Sequence, residues 1–343
     1  MKRRSDGTVC GTGQDASEPV ESVPFSIVTW NTFVGPPLGS FEHARFLGQA
    51  VFMRKEAADV YCLQEVFSDA QVELLQQELG ADYQCLRGHS NTLLFMGRLA
   101  QGIMCMILAL LLVGAGWQLT LDNVSYPSFA CILGLDAALG LLFRHIWKGV
   151  LWSFAFGSTQ AGLVVLCRRK SVQVRSFEYQ AYDEQSGDFM NRVRQRGYLR
   201  CSLIIRGALV TLVNVHANAF PTVSIRDAQP LPSVQRQRQL RQACEEAERV
   251  DHREGVVVLG DFNAAPEHNE VLASDHGLVN AWQSDDACGT VPLTSMLKEV
   301  FPDTKSSLSP DYLFSKGLTI LGPQVLKTGD LSDHLPLKGS YRI

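Results

Sequence analysis

The sequence predicts an α/β layered protein interrupted by a hydrophobic insertion, and three observations point there. Short apolar runs rich in β-branched and aromatic residues alternate with helical patterns over residues 25–90 and again over 160–343, and such alternation is how strands and helices stack into layers. No internal repeat recurs at a solenoid period, which leaves a single layered unit. Residues 94–157 then break the pattern with a long, sparsely charged stretch.

Taken in order, residues 1–23 are rich in Gly, Ser, Asp and Glu, which predicts a disordered tail. Its basic start is followed by no apolar segment, so it does not read as a secretory signal. The domain proper runs from 24 to 343. FSIVTW (25–30) is a buried strand, Phe41 to Ala58 a helix, and DVYCLQEV (59–66) a second strand. SDAQVELLQQEL (68–79) is helical, with Ser68 and Asp69 as N-terminal signals and Gly80 just past the end. Beyond the insertion, AGLVVLCRR (161–169), LRCSLII (199–205), ALVTLVNVHA (208–217) and GVVVLGDFN (255–263) are strands, and Val234 to Val250 a helix.

The net charge of −4 carries no overall basic excess, which argues against nucleic acid as the main partner. The basic cluster QRQRQLRQ (235–242) places its arginines on one helical face, read as solvated rather than as a nucleic-acid rim. Nine cysteines, scattered and without a CxxC pair, suggest free thiols in a reducing compartment rather than disulfides or zinc.

Chemistry gathers at strand ends. Asn31 follows TW, Glu65 lies in LQEV, His216 and Asn218 end VNVHAN, and Asp261 and Asn263 lie in GDFN; Asp311 stands in PDYLF, and Asp333 and His334 in LSDHLPL. An open α/β sheet places its ligand just beyond its strand ends. Carboxylates and amide oxygens are hard ligands suited to Mg²⁺, and a histidine beside an aspartate is an orientable base. The set asks for a metal, a phosphate and an activated water.

The motifs WN (30–31), LQEV (63–66), NVH (214–216), GDFN (260–263), DY (311–312) and SDH (332–334) resemble, in order and spacing, those of the endonuclease/exonuclease/phosphatase superfamily. The resemblance implies a four-layered α/β sandwich of two mixed sheets flanked by helices, and a Mg²⁺-dependent phosphoesterase, with Mn²⁺ as the alternative ion. It implies that Glu65, supported by Asn31, holds the metal and that Asp333 completes the metal or histidine environment. Asp261 and His334 would activate water, Asp311 would fix the His334 imidazole, and Asn263 and His216 would bind phosphate oxygens. HANA (216–219), RGYL (196–199) and GLVNAW (277–282) resemble segments of the neutral sphingomyelinase-type members. Arg192, Arg194 and Arg196 alternate there, to meet a phosphate or to line a solvated strand face.

Twenty-three uncharged residues separate Arg98 from Asp122, enough to cross a bilayer as a helix, which takes ~20. A second apolar segment, 126–143, carries Asp136 at its centre, and IWKGVLWSFAFG (146–157) reads as interfacial. The flanking pieces build one sheet system, so the number of crossings is even, two or none. Arg87, Arg98, Arg144 and Lys148 flank the block while 99–143 holds no Lys or Arg, which puts both ends on the cytosolic side. The alternatives are a hairpin dipping into one leaflet and a soluble apolar lid. A membrane-held site favours a phospholipid headgroup as substrate. The alternatives are a nuclease or phosphatase acting on nucleic acid or inositol phosphates, and a membrane-tethered binding module without turnover.

Overall fold

In β1 (Phe25–Asn31) alternate residues face opposite ways: Phe25 and Ile27 enter one apolar cluster, Val28 and Trp30 another. That alternation, repeated from strand to strand, sets the layers. A computed structural model describes residues 23–32, 41–89, 159–183, 196–218, 234–263, 266–282, 290–291 and 309–343. The predicted tail, apart from Val23, and the hydrophobic block 94–157 lie outside the described residues.

The first sheet contains β1, β2 (Val60–Gln64), β3 (Tyr83–His89), β4 (Thr159–Arg168), β11 (Thr319–Val325) and β12 (Leu337–Arg342), in the order β11-β12-β1-β2-β4-β3. The second contains β5 (Val172–Ala181), β6 (Gly197–Ile205), β7 (Ala208–His216), β8 (Gly255–Asp261), β9 (Val279–Asn280) and β10 (Asp311–Lys316), in the order β5-β6-β7-β8-β10-β9. Each is mixed, with a parallel pair at its centre: β1 beside β2, and β7 beside β8. The inner faces meet through Ile27, Cys62, Val165, Leu203, Leu212 and Leu259. Helices α1 (Phe41–Glu56) and α2 (Asp69–Leu79) cover the outer face of the first sheet. Helices α3 (Val234–Cys244) and α4 (Pro266–Asp275) cover that of the second. The result is the four-layered sandwich.

A buried polar clasp joins the sheets. Gln64 Nε2 donates to Thr29 Oγ1 at 3.0 Å and to Asn214 Oδ1 at 2.7 Å, and Asn214 Nδ2 donates to the carbonyls of Leu63 and Val164. It places the C-terminal ends of both central parallel pairs at one edge of the sandwich, the edge that carries the polar motifs.

Several local expectations change. Ser68 caps α2 in a reciprocal box with Gln71, but Gly80 is right-handed (φ −63°) and closes the helix with an ordinary N–H bond to Gln76. Helix α3 ends at Cys244 in a short 3-10 turn, earlier than the expected Val250. Strands β3, β5, β9, β10, β11 and β12 and helix α4 were not expected from periodicity. Strands β3, β5 and β11 are sheet-edge strands, and β5 and β11 carry mostly polar, exposed residues, where the apolar signal is weakest. The five described cysteines are free thiols. Among the described residues, no helix is long and apolar enough to cross a membrane.

Candidate active site

Sheet register assembles the site. His216 ends β7 opposite Asp261 of β8, and Asp261 stands opposite Asp311 of β10, so three strands present one row of side chains. From the other sheet, Asn31 ends β1 beside Gln64, and Glu65 follows directly. The Ser332–His334 loop enters β12, whose Leu337 pairs with Thr29 of β1.

Each group is held from behind. The Trp30 indole donates to the His334 carbonyl at 2.9 Å, and Ser332 Oγ donates to the Asn31 carbonyl at 2.7 Å. Asn31 Nδ2 donates to Asp261 Oδ2 at 2.9 Å, and the Asn263 backbone N–H to Asp261 Oδ1 at 2.9 Å. Asn263 turns at φ +50° and spends its amide N–H on the Ala217 carbonyl. Glu65 has φ +64°, an uncommon conformation for a non-glycine residue. The Val66 N–H is anchored to the Gly162 carbonyl, and a Cβ on Gly162 would come within 3.0 Å of the Glu65 Cα. Such strain gathers at functional sites.

The expected residues therefore converge. His334 Nδ1 lies 2.8 Å from Asp311 Oδ2, and its Nε2 lies 4.0 Å from Asp333 Oδ1. His216 Nε2 stands 3.7 Å from Glu65 and 3.8 Å from Asp261. Asn31, Glu65, His216, Asp261, Asn263, Asp311, Asp333 and His334 all lie at one edge.

Three further residues join them. Thr290 Oγ1 donates to Asp311 Oδ2 at 2.6 Å; it comes from the 283–310 stretch, where no motif marks it. Arg196, one of two readings left open by the sequence, is buried against His216, its Nη1 2.5 Å from Nδ1 and 2.6 Å from Nε2. Arg192 and Arg194 lie outside the described residues. Arginine only donates, and Nε2 faces two carboxylates. Nη1 is almost equally near both ring nitrogens, so this contact places the ring proton on neither. The solvated reading of QRQRQLRQ holds for the exposed Arg238 and Arg241 but not for Arg236, which is 1% exposed and within electrostatic reach of Asp261, with Gln239 also buried. The helical period locates that face, but composition alone cannot say that the sheet covers it.

The electrostatics follow from burial. The Asp261 carboxyl is pushed up to about 7, chiefly by desolvation, with Asp311 adding to the rise while His334, Asn31 and the Asn263 N–H oppose it. Burial disfavours charge on His334, but Asp311, Asp333 and Asp261 outweigh it and hold its pKa well above the usual histidine value. Burial also raises Asp333. Acids outnumber cations here. Ligand atoms of Asp261, Asp311 and His334 lie within 4.8 Å of one another, and Asp311 Oδ1 is buried without a hydrogen-bond partner among the described residues. A divalent cation with hard-oxygen preference fits the Asp261 and Asp311 carboxylates of this set and offsets their negative charge, whereas a protonated His334 offers it no lone pair. The clustered triad differs from the Asn31, Glu65 and Asp333 set that the resemblance implies, although all six share the edge.

The endonuclease/exonuclease/phosphatase family model matches residues 28–334. The chain belongs to that family. Members of the endonuclease/exonuclease/phosphatase family are generally metal-dependent phosphoester hydrolases, and this chain is a phosphoesterase of that superfamily. A comparison with curated proteins finds no match. Among solved structures, sphingomyelinase C from Streptomyces griseocarneus is similar at 16% identity and TM-score 0.58, over 93% of this chain and 99% of that one. TDP2 from C. elegans is similar at 13% identity and TM-score 0.59, over 95% and 77%. TDP2 from D. rerio, solved with a single-strand DNA product, is similar at 13% identity and TM-score 0.57, over 93% and 99%. At these identities the likeness is one of fold.

Proposed function

We propose that this chain is a divalent-metal-dependent phosphodiesterase that hydrolyses a phospholipid headgroup at a membrane surface, a phospholipase C of sphingomyelinase type. The observation that carries the lipid half is where the hydrophobic block attaches. His89 ends β3 and pairs with Thr159 at the start of β4, so the strands flanking the block meet each other. Three residues on, Gly162 packs against Glu65. The two chain ends that bound residues 90–158 thus lie together at the edge that carries Glu65, which supports a reading with an even number of crossings. The charges flanking the run support a cytosolic face for the domain.

In this reading Asp261, ionised when the cation is present, takes the proton of the attacking water. His334, whose protonated form its three carboxylate neighbours favour, faces the phosphoryl oxygens as charge builds, with His216 lining the same edge. Asp311 and Thr290 fix the His334 ring. Glu65 and Asn31 would hold Mg²⁺ or Mn²⁺, with Asp333 at the margin; when bound, the ion supplies Lewis-acid polarisation and charge neutralisation.

The test is hydrolysis with Mg²⁺ of sphingomyelin-containing micelles, a DNA duplex and an inositol phosphate, by wild type and His334→Ala. Lipid turnover lost in the variant supports the proposal. DNA nicking without lipid turnover would establish the nuclease alternative, and no turnover on any substrate the binding module. Flotation with liposomes, with and without residues 99–157, tests the membrane claim; full-length protein left wholly in the soluble fraction refutes it.

A further inference from the structure

Strand β7 ends at His216, and the chain beyond it stays at the edge of the site. Val213, Val215 and Ala217 face the helix layer, whereas Leu212 enters the inter-sheet core and Asn214 and His216 contact Gln64 and Glu65 of the other sheet. The ladder runs on through Ala217, whose N–H donates to the Asp261 carbonyl at 3.0 Å. Asn218 follows, two residues beyond His216, and the Asn263 amide donates to the carbonyl of the intervening Ala217 at 3.1 Å. Its backbone N–H is taken by Gln239 Oε1 of α3 at 3.2 Å. Its side chain is different: the residue is 6% exposed, and neither Nδ2 nor Oδ1 has a hydrogen-bond partner among the described residues.

A buried amide with both a donor and an acceptor unmet is costly, and native proteins rarely keep one without a use. Here it borders the catalytic row.

We infer that Asn218 is a substrate-contacting residue that reads a group able both to donate and to accept a hydrogen bond, a hydroxyl or secondary amide lying beside the scissile phosphate. This rests on the phosphodiesterase reading above and narrows it. A ceramide backbone carries a hydroxyl and an amide next to its phosphate, whereas a diacylglycerol backbone offers ester oxygens, which only accept. Asn218 therefore selects sphingomyelin over phosphatidylcholine.

The full chain with Mg²⁺ is assayed as wild type, Asn218→Leu and Asn218→Ala on sphingomyelin vesicles, phosphatidylcholine vesicles and bis(4-nitrophenyl) phosphate, with Tm measured for each. Both variants are expected to lose about 10–100-fold on sphingomyelin beyond any loss on bis(4-nitrophenyl) phosphate, closing the gap to phosphatidylcholine. Removing an unsatisfied amide holds or raises Tm, by up to ~4 °C. A fall in Tm with equal loss on all substrates would mean the amide is structural and overturn the inference, as would an unaltered sphingomyelin preference. If wild type cleaves bis(4-nitrophenyl) phosphate but neither lipid, the lipid reading fails by itself. Tm then decides Asn218: a held or raised value keeps a ligand-facing amide, and a fall overturns it.

Discussion

Metal affinity should depend on pH through Asp261. That carboxyl is 2% exposed and pushed up to about 7, mainly by burial, where an unfolded aspartate titrates near 3.8. Its folded pKa is raised, so between these values the metal-free fold binds more protons than the unfolded chain, and stability is lost as pH rises through about 7. His334 is raised as well, so its contribution is full below the unfolded histidine value and is likewise lost on the alkaline side. A divalent cation acts oppositely, favouring the ionised carboxylate and competing with the proton. With a pKa of about 7, about one Asp261 in ten is ionised at pH 6 and about nine in ten at pH 8. Mg²⁺ affinity should therefore rise about tenfold over that range, ~1.4 kcal/mol, and binding at pH 6 should release about one proton. Isothermal titration calorimetry in two buffers of different ionisation enthalpy reads both quantities. A flat affinity with no proton release would refute the electrostatic description of the site.

Other perturbations follow from single contacts. Asp311→Asn removes the acceptor that orients His334 Nδ1 at 2.8 Å; kcat should fall by about 10²–10⁴ with KM little moved, and a kcat within twofold of wild type would contradict the dyad. Asn214→Ala breaks the bonds to Gln64, Leu63 and Val164 that tie the sheets together. It should cost about 3–5 kcal/mol in urea unfolding, and a loss below ~1 kcal/mol would show that water replaces the clasp. Gly260→Ala places a Cβ 2.0 Å from the Val215 carbonyl oxygen at φ +134°; the variant should lose more than ~3 kcal/mol, and a native Tm would contradict the close approach of β7 and β8.

Much of this was legible in the sequence because the central strands are buried on both faces. FSIVTW, VYCLQ and GVVVLGD lie where continuous apolar runs place them, and their polar ends converge because register aligns them. Strand β5 escaped notice because an edge strand exposed along Arg175–Glu178 has no apolar face to betray it. Arg236 was misjudged because a solvated arginine and one buried near Asp261 share the same helical period. Thr290 and the Asn218 amide depend on contacts far apart in sequence, and their partners or lack of partners cannot be deduced from neighbours. Substrate choice is less legible still, since sphingomyelinase C and TDP2 share the fold at similar TM-scores.

The central claim is that this edge is a metal-dependent hydrolytic centre built on the His334–Asp311 pair and Asp261. Its most direct test is the rate of bis(4-nitrophenyl) phosphate hydrolysis by purified wild type and His334→Ala, measured with EDTA and after Mg²⁺ is restored. Turnover should be abolished by EDTA and recovered with Mg²⁺, and the variant should stay folded but be slower by ~10³-fold or more. Absence of turnover in the wild type, or turnover indifferent to both EDTA and the substitution, would contradict it.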